Sequence, residues 1–445
     1  MKTILYNQKE IKVLNSCDVL VIGGGTSGVV VALSALNHQQ SVIILEKGIY
    51  LGGSETRALV HPFMATKVGG GTLTKELNEE FLKYSPDSKY NAGPYALSFN
   101  GEDFATFYDQ KIRESKGQIY YDATFIDVIK ENNKISYAIA YIHNDLYAIE
   151  AKTFVDTTAE ALVSKAAGVP IDDQGENGMH QSVSLRFEMA NVDYFKLCDF
   201  LRSIQYQGFG IPAVEDSNHL EFIRDKALIP YFEKAIQDGV ITSADVKYIQ
   251  GFAVPGKPNV MSFNCPELPN CKDVNTPDGF SYYASEGRMM VQRFSRFLKG
   301  YIPGFENAFV SKIADMLGIR ESVRIIGDYV LTEQDYLNQA KFKDGIAKAD
   351  WYVDVHHDHE IKEEDLHRYQ PGEYYEIPYR CLISKHCDNL IVGGRHLSCS
   401  FRVEASVRIQ ATLRDIAEVI GKACAYSNQN HIDLNKINGE IFKCK

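Results

Sequence analysis

Two groups of residues in this chain have the types and the spacing to do chemistry. The first is Gly23-Gly24-Gly25-Thr26-Ser27-Gly28, which fits G-x-G-x-x-G, with Glu46 eighteen positions beyond Gly28. An apolar strand (residues 17–22) leads into the turn, an apolar helix leaves it, and a second apolar strand ends at Glu46. Gly23 permits the tight turn, Gly25 lets the backbone approach a pyrophosphate, and Gly28 lets helix and strand pack closely. Thr26 and Ser27 open the helix, whose free N–H groups and dipole favour an anion. Glu46 can accept hydrogen bonds from ribose hydroxyls and repels a 2′-phosphate, which disfavours NADP. The turn alone does not separate FAD from NAD.

The second group is acid–base in character. The run Asp354-Val355-His356-His357-Asp358-His359 holds three histidines among acids. In an extended segment Asp354 and His356 share one face, so the carboxylate can orient the imidazole for proton transfer. His356 is the first candidate for a catalytic base or acid; the same run also reads as a solvated, acid-rich loop. Its crowded spacing is a poor match to metal-ligand patterns, and no metal site is expected. Arg320, in GIRESVRI, can hold a substrate carboxylate or close a salt bridge to Glu321 or another acid. Tyr329 and Arg380 are further candidates. His61 and His396 each read as a group beside the cofactor or as a packed structural histidine.

These residues need elements to hold them. Three strand-like runs between residues 119 and 158, separated by ENNK and HND, read as an antiparallel ribbon inserted in a nucleotide-binding fold. Gly69-Gly70-Gly71 lacks a third spaced glycine and a preceding strand, so it reads as a loop capped into a helix. From about Asp173 the pattern turns mixed and includes a long amphipathic helix ended by PGF. DNLIVGGRHLS then reads as a buried strand with a glycine turn, and SVRIQATLRDIAEVIGKACAYS as one long helix. The expected architecture is α/β: a Rossmann-like FAD/NAD(P)-binding fold over residues 1–172 and 380–445, with an inserted α+β substrate domain over 173–379.

Bulk properties narrow the partners. With 47 basic and 58 acidic residues the net charge is −11, which argues against a nucleic-acid footprint. The N-terminal residues hold no apolar run long enough for a signal peptide or membrane span, so a cytoplasmic protein with no membrane partner is expected. Nine scattered cysteines are expected to be free thiols in or near the core.

Later segments carry a more specific signal. LGGSETRALV, TFVDTTAEALVSKAAG, PGFENAFVSKIADMLGIRESVRIIGDYVLTEQD and EIPYRCLISKHCDNLIVGGRHLS stand in order along the chain, followed by SVRIQATLRDIAEVIGKA. Together they resemble the FAD-dependent oxidoreductases of the glutathione-reductase-like nucleotide fold, in the branch related to fumarate-reductase-type flavoproteins. The resemblance implies FAD as cofactor and hydride transfer between a small-molecule organic substrate and flavin N5, with the electron donor or acceptor unidentified. It implies cofactor contacts at the glycine turn, at Glu46 and Lys47, at Gly52, Gly53 and Ser54, and at Val128. Thr157, Thr158, Gly394 and Arg395 follow, and Ser406, Val407 and Arg408 would open the last helix against the pyrimidine edge of the flavin. Asp354-Val355-His356 resembles an aspartate–apolar–histidine run of the family. The chain departs from the family at Ala159, where glycine is usual, at Arg57, where a small residue is usual, and at Arg414, Asp415 and Glu418, usually more apolar. Cys265/Cys271 and Cys381/Cys387 are C-x5-C pairs, so no iron–sulfur cluster is expected. The alternative is a flavin-binding protein without turnover, a redox sensor or assembly partner.

Overall fold

The computed structural model describes residues 2–64, 66–89, 95–207, 221–223, 225–269, 271–356 and 369–444. His357 and His359 lie outside the described residues.

The chain opens with β1 (Thr3–Tyr6) paired antiparallel to the start of β2 (Lys9–Ile22). Burial along the first part of β2 is broken by exposed residues, whereas Val19–Ile22 are buried without a break. That change marks where the strand passes from an edge ribbon into the covered centre of a parallel sheet. α1 (Thr26–Asn37) and β3 (Val42–Leu45) follow. After the helices α2 (Thr72–Tyr84) and α3 (Gly101–Glu114) come β4 (Gln118–Tyr120), β5 (Ala123–Glu131), β6 (Lys134–Ile142) and β7 (Asp145–Asp156). The sheet order is β4-β3-β2-β7-β6-β5, parallel through β4, β3, β2 and β7 and antiparallel in the β5–β7 meander. The end of β7 also pairs in parallel with a strand from far down the chain, Leu390–Val392.

Residues Thr26–Ala35 of α1 are all buried, because the helix lies between the sheet and the last long helix, Gln410–Asn430. Gly421 permits that approach: a Cβ there would stand 2.4 Å from Ser34 Cβ.

A second sheet gathers β8 (Phe187–Ala190), β9 (Glu221–Ile223), β10 (Gln250–Ala253), β11 (Met261–Phe263) and β12 (Phe309–Ile313), in the order β9-β10-β11-β8-β12. The long helix α4 (Pro277–Tyr301), capped by Thr276, closes a core around Phe187, Phe263, Phe294 and Phe297. The separate first core includes α1 and the parallel strands, and also takes in Tyr336, Val353, Tyr375 and Ile377. With β13 (Leu390–Val392) the chain returns to the first sheet.

One expectation fails at the end of the chain. The expected single helix is two: α5 (Phe401–Val407) and α6 (Gln410–Asn430), with Ile409 extended between them. Ser406 and Val407 therefore end α5, and Arg408 lies in the break rather than at the head of the last helix. No glycine or proline signals the break. Tertiary contacts override helix propensity there: Ser406 Oγ donates to Trp351 O (2.6 Å), Arg408 Nη2 to Asp354 O (2.9 Å) and Gln410 Nε2 to Ser54 Oγ (3.1 Å).

The glycine run Gly69–Gly71 is a loop into α2, as its sequence suggests. It explains two of the unusual charges on α6. Asp415 accepts from Gly70 N (2.6 Å) and Gly71 N (2.7 Å), and Glu418 from Leu73 N (3.0 Å). Two acids of α6 thus cap the N-terminus of α2, where negative charge is favoured. Arg414 completes the joint by donating to Asn78 Oδ1 (2.7 Å).

Candidate functional site

The glycine turn builds a backbone cradle at an uncapped helix start, a geometry suited to an anion. Gly23 has φ +106°, and a Cβ there would meet Thr157 O at 2.4 Å. A Cβ on Gly28 would stand 1.9 Å from Gly23 O, so only glycine lets α1 start so close to β2. A Cβ at Gly25 would meet nothing nearer than 3.9 Å. α1 has no side-chain cap and no acid in its first turn, which leaves its positive end for a ligand. Thr26 Oγ1 donates to Gly52 O (3.1 Å) and stands 3.1 Å from Ser54 Oγ, which also accepts from Gln410. α6 likewise has no side-chain cap and no acid in its first turn. Two uncapped helix N-termini are thus tied together through Thr26, Ser54 and Gln410.

Glu46 stands at the far side of the cradle. Oε2 accepts from Gly24 N (2.9 Å), and Oε1 accepts from Gly48 N (2.7 Å) and Arg57 Nη1 (3.1 Å). Oε2 keeps a lone pair for a hydroxyl donor. Arg57 also reaches Asp315 at 3.3 Å, so its guanidinium serves the Glu46 side of the cradle. Lys47 is exposed next to Glu46, and Val128 is half-buried on β5 opposite Ala138, packed into the core. Thr157 Oγ1 donates to Ile22 O (2.9 Å) and Gly23 O (2.6 Å), bracing the turn from β7. Thr158 Oγ1 donates to Asp156 (2.7 Å). Ala159, at the family's glycine position, is left-handed with φ +67°.

His396 is wholly buried, with Nε2 3.5 Å from Asp156 Oδ1. Burial opposes the Asp156 charge, but His396, Thr158 and Ser164 outweigh it and hold the carboxyl down at about 2. Arg395, beside Gly394, pairs with Glu160 and reaches Ser322 Oγ at 3.4 Å.

A second polar group forms around His356. Its Nδ1 is 2.7 Å from Glu267 Oε1 and its Nε2 3.4 Å from Asp354 Oδ1. The expected Asp354–His356 pair is formed. Arg320 Nη2 donates to the same Glu267 oxygen (2.6 Å) and Nη1 to Ser182 O (2.6 Å), so its acid partner is Glu267 rather than Glu321. Arg408 Nη2 lies 3.6 Å from Asp354 Oδ2. The Tyr248 ring meets the His356 ring edge-on at 5.5 Å, and its hydroxyl donates to Gln250 Oε1 (2.8 Å).

Burial and Arg320 oppose a proton on His356, yet Glu267 and Asp354 outweigh them and its pKa rises. Burial likewise opposes the Glu267 charge, but Arg320 and His356 hold it down at about 2. The backbone of this segment is pinned on both sides: Ser182 N donates to His356 O (2.8 Å), and His356 N to Gln181 Oε1 (3.3 Å). Two buried polar atoms on residues that touch this group have no hydrogen-bond partner among the described residues: Gln181 Nε2, whose amide oxygen accepts from His356 N, and Arg408 Nε, whose guanidinium reaches Asp354. Such atoms can be satisfied by water or by a bound group.

Tyr329 and Arg380 are elsewhere. Tyr329 donates to Asp335 (3.0 Å) and its ring carries the Arg380 guanidinium at 4.8 Å, while Arg380 pairs with Asp344 at 2.9 Å. His61 is buried with Nε2 3.5 Å from Glu188. Glu267, Tyr248, Gln181 and Gln410 escaped the sequence reading. Only Gln410 had a local signal, its place two residues after Arg408.

All nine cysteines are free, eight of them buried. Among the described residues no group of His, Cys, Asp and Glu could hold a metal ion, and no helix is long and apolar enough to cross a membrane.

A family model described as FAD dependent oxidoreductase matches residues 18–444. UDP-galactopyranose mutase of Mycoplasma genitalium is 33% identical over 70 residues, 14% of this chain, and the match spans only 17% of that relative's length. Among solved structures, a geranylgeranyl bacteriochlorophyll reductase-like protein of Thermoplasma acidophilum is 13% identical, covering 94% of this chain and 80% of that one, with a TM-score of 0.48. The p-nitrophenol 4-monooxygenase of Pseudomonas putida is 10% identical, covering 96% and 84%, with a TM-score of 0.49.

Proposed function

The chain belongs to the FAD dependent oxidoreductase family, and from that premise we propose that it transfers a hydride between a small organic substrate and the flavin, with His356 moving the accompanying proton. FAD, when bound, supplies the two-electron centre at its N5. The glycine turn and the uncapped start of α1 hold its pyrophosphate, and Glu46 takes the ribose. Ser54 and Gln410 bring the uncapped end of α6 to the same cradle, where its dipole favours negative charge.

The observation that carries the reading is the His356 group. A partly buried imidazole between two carboxylates is fixed in orientation and keeps its proton at higher pH than a free one. Arg320 and Arg408 keep Glu267 and Asp354 ionised and in place. Arg408 and Gln410 flank Ile409, so one short extended link serves both the acid–base group and the cradle. The segment 173–379 supplies the substrate side, since Tyr248, Glu267, Arg320 and His356 all come from it.

The reading is tested by an anaerobic screen of small organic hydride donors, and of acceptors against the chemically reduced protein, watched through the flavin spectrum. A donor that bleaches the flavin, or an acceptor that restores it, supports the reading. A holoprotein whose spectrum answers to no organic compound in either direction contradicts it and leaves flavin binding without turnover.

A further inference from the structure

Glu55 is a buried acid that hydride transfer does not use. It ends the short turn Gly53–Glu55, just after Gly52, whose backbone bridges to Gly25. The residue is 0% exposed. Oε2 accepts from Tyr108 Oη (2.7 Å), and Oε1 has no hydrogen-bond partner among the described residues. Each element packed around it contributes one facing group: α6 the Arg414 guanidinium, α3 the Tyr108 hydroxyl, and α1 Thr26, the first residue of the cradle helix. Arg414 is the one charge among them. Its Nη1 donates to Asn78, and it forms no ion pair with Glu55 within 4.0 Å among the described residues.

A carboxyl is thus buried beside a cradle suited to a pyrophosphate, with one oxygen unsatisfied. We propose that Glu55 couples cofactor retention to a single proton: it is neutral while FAD is bound, and its ionised form weakens FAD binding. Two like charges in a water-poor site repel strongly, and each makes the other less favourable. A neutral carboxyl also carries an O–H donor that the carboxylate lacks. By linkage, a pyrophosphate that raises the proton affinity of Glu55 is itself bound more tightly when Glu55 is protonated.

Burial, opposed by Arg414, Tyr108 and Thr26, already pushes the pKa of Glu55 to about 7 without a ligand. The bound pyrophosphate raises it further. Below about pH 7 the group is neutral in both states and affinity is flat. Above that, binding takes up a proton, and affinity falls by up to about tenfold per pH unit until the pKa of the loaded state is passed. The coupling concerns the cofactor end of the site and stands whether or not His356 moves a proton.

The test starts from the holoprotein. FAD affinity is measured by flavin fluorescence from about pH 6 to about pH 9, and proton uptake by calorimetry in buffers of different ionisation heat. The wild type is expected to lose affinity with rising pH and to take up close to one proton per FAD near the alkaline end. Glu55→Gln is expected to abolish both effects and to bind FAD more tightly than the wild type at alkaline pH. Tyr108→Phe removes a donor that favours the carboxylate, so the midpoint is expected to move upward. Identical pH profiles for the wild type and Glu55→Gln, or no proton uptake by the wild type, overturn the proposal. Should Glu55→Gln fail to fold, the wild-type proton count and the Tyr108→Phe midpoint decide the matter alone.

Discussion

Gln410 Nε2 donates to Ser54 Oγ across 3.1 Å, joining residues 356 positions apart. Ser54 in turn meets Thr26 on α1. This contact holds the head of the last helix against the glycine turn. Gln410→Ala deletes one such hydrogen bond, worth about 0.5–1.5 kcal/mol. The expected result is a fold destabilised by about that amount and, because the head of α6 is no longer held against the glycine turn, weaker FAD binding. Titration of the apoprotein with FAD checks it.

The acid–base group makes a prediction about pH. Asp354 is one of two carboxylates that outweigh burial and Arg320 to raise the His356 pKa. Asp354→Asn is expected to lower the His356 pKa. The limb of the pH–rate profile that reports His356 then moves to lower pH. The stability contribution has a matching sign. A histidine with a raised folded pKa stabilises fully below its unfolded value, and that contribution is lost as pH rises through the folded one. In Asp354→Asn the loss sets in at lower pH, which chemical unfolding at a series of pH values detects.

Ala159 carries a local strain. It sits at φ +67°, where an L-residue other than glycine pays a steric penalty of about 1–2 kcal/mol. Ala159→Gly relieves that strain but gains unfolded-chain entropy. A net stabilisation of about 1 kcal/mol is expected, seen as a higher urea midpoint with unchanged FAD binding.

Much of the glycine-turn cradle was legible in sequence because it is local. The turn at Gly23–Gly28, the strand ending at Leu45 and the acid after it are contiguous signals with fixed geometry. The meander was legible for the same reason, from apolar runs punctuated by ENNK and HND. The His356 group was legible only in its Asp354 half, two residues away. Glu267 comes from the other sheet-bearing part of the chain, and no pattern in PELPN announces a partner for His356 or Arg320. The break at Ile409 was hidden because ASVRIQAT holds no glycine or proline and its β-branched residues weaken a helix only slightly; contacts from Trp351, Asp354 and Ser54 accompany it. Asp415 and Glu418 looked like departures from an apolar helix, and their purpose became plain only when α2 was seen to start against them.

The central claim is that His356 moves the proton that accompanies hydride transfer. It is tested most directly by anaerobic stopped-flow reduction of the wild type and His356→Asn by a bleaching donor found in the screen, both loaded with FAD to the same occupancy. A two-electron bleach is expected in the wild type and a rate at least about 100-fold lower in the variant, with the oxidised flavin spectrum unchanged. Equal rates of bleaching in the two proteins would contradict it.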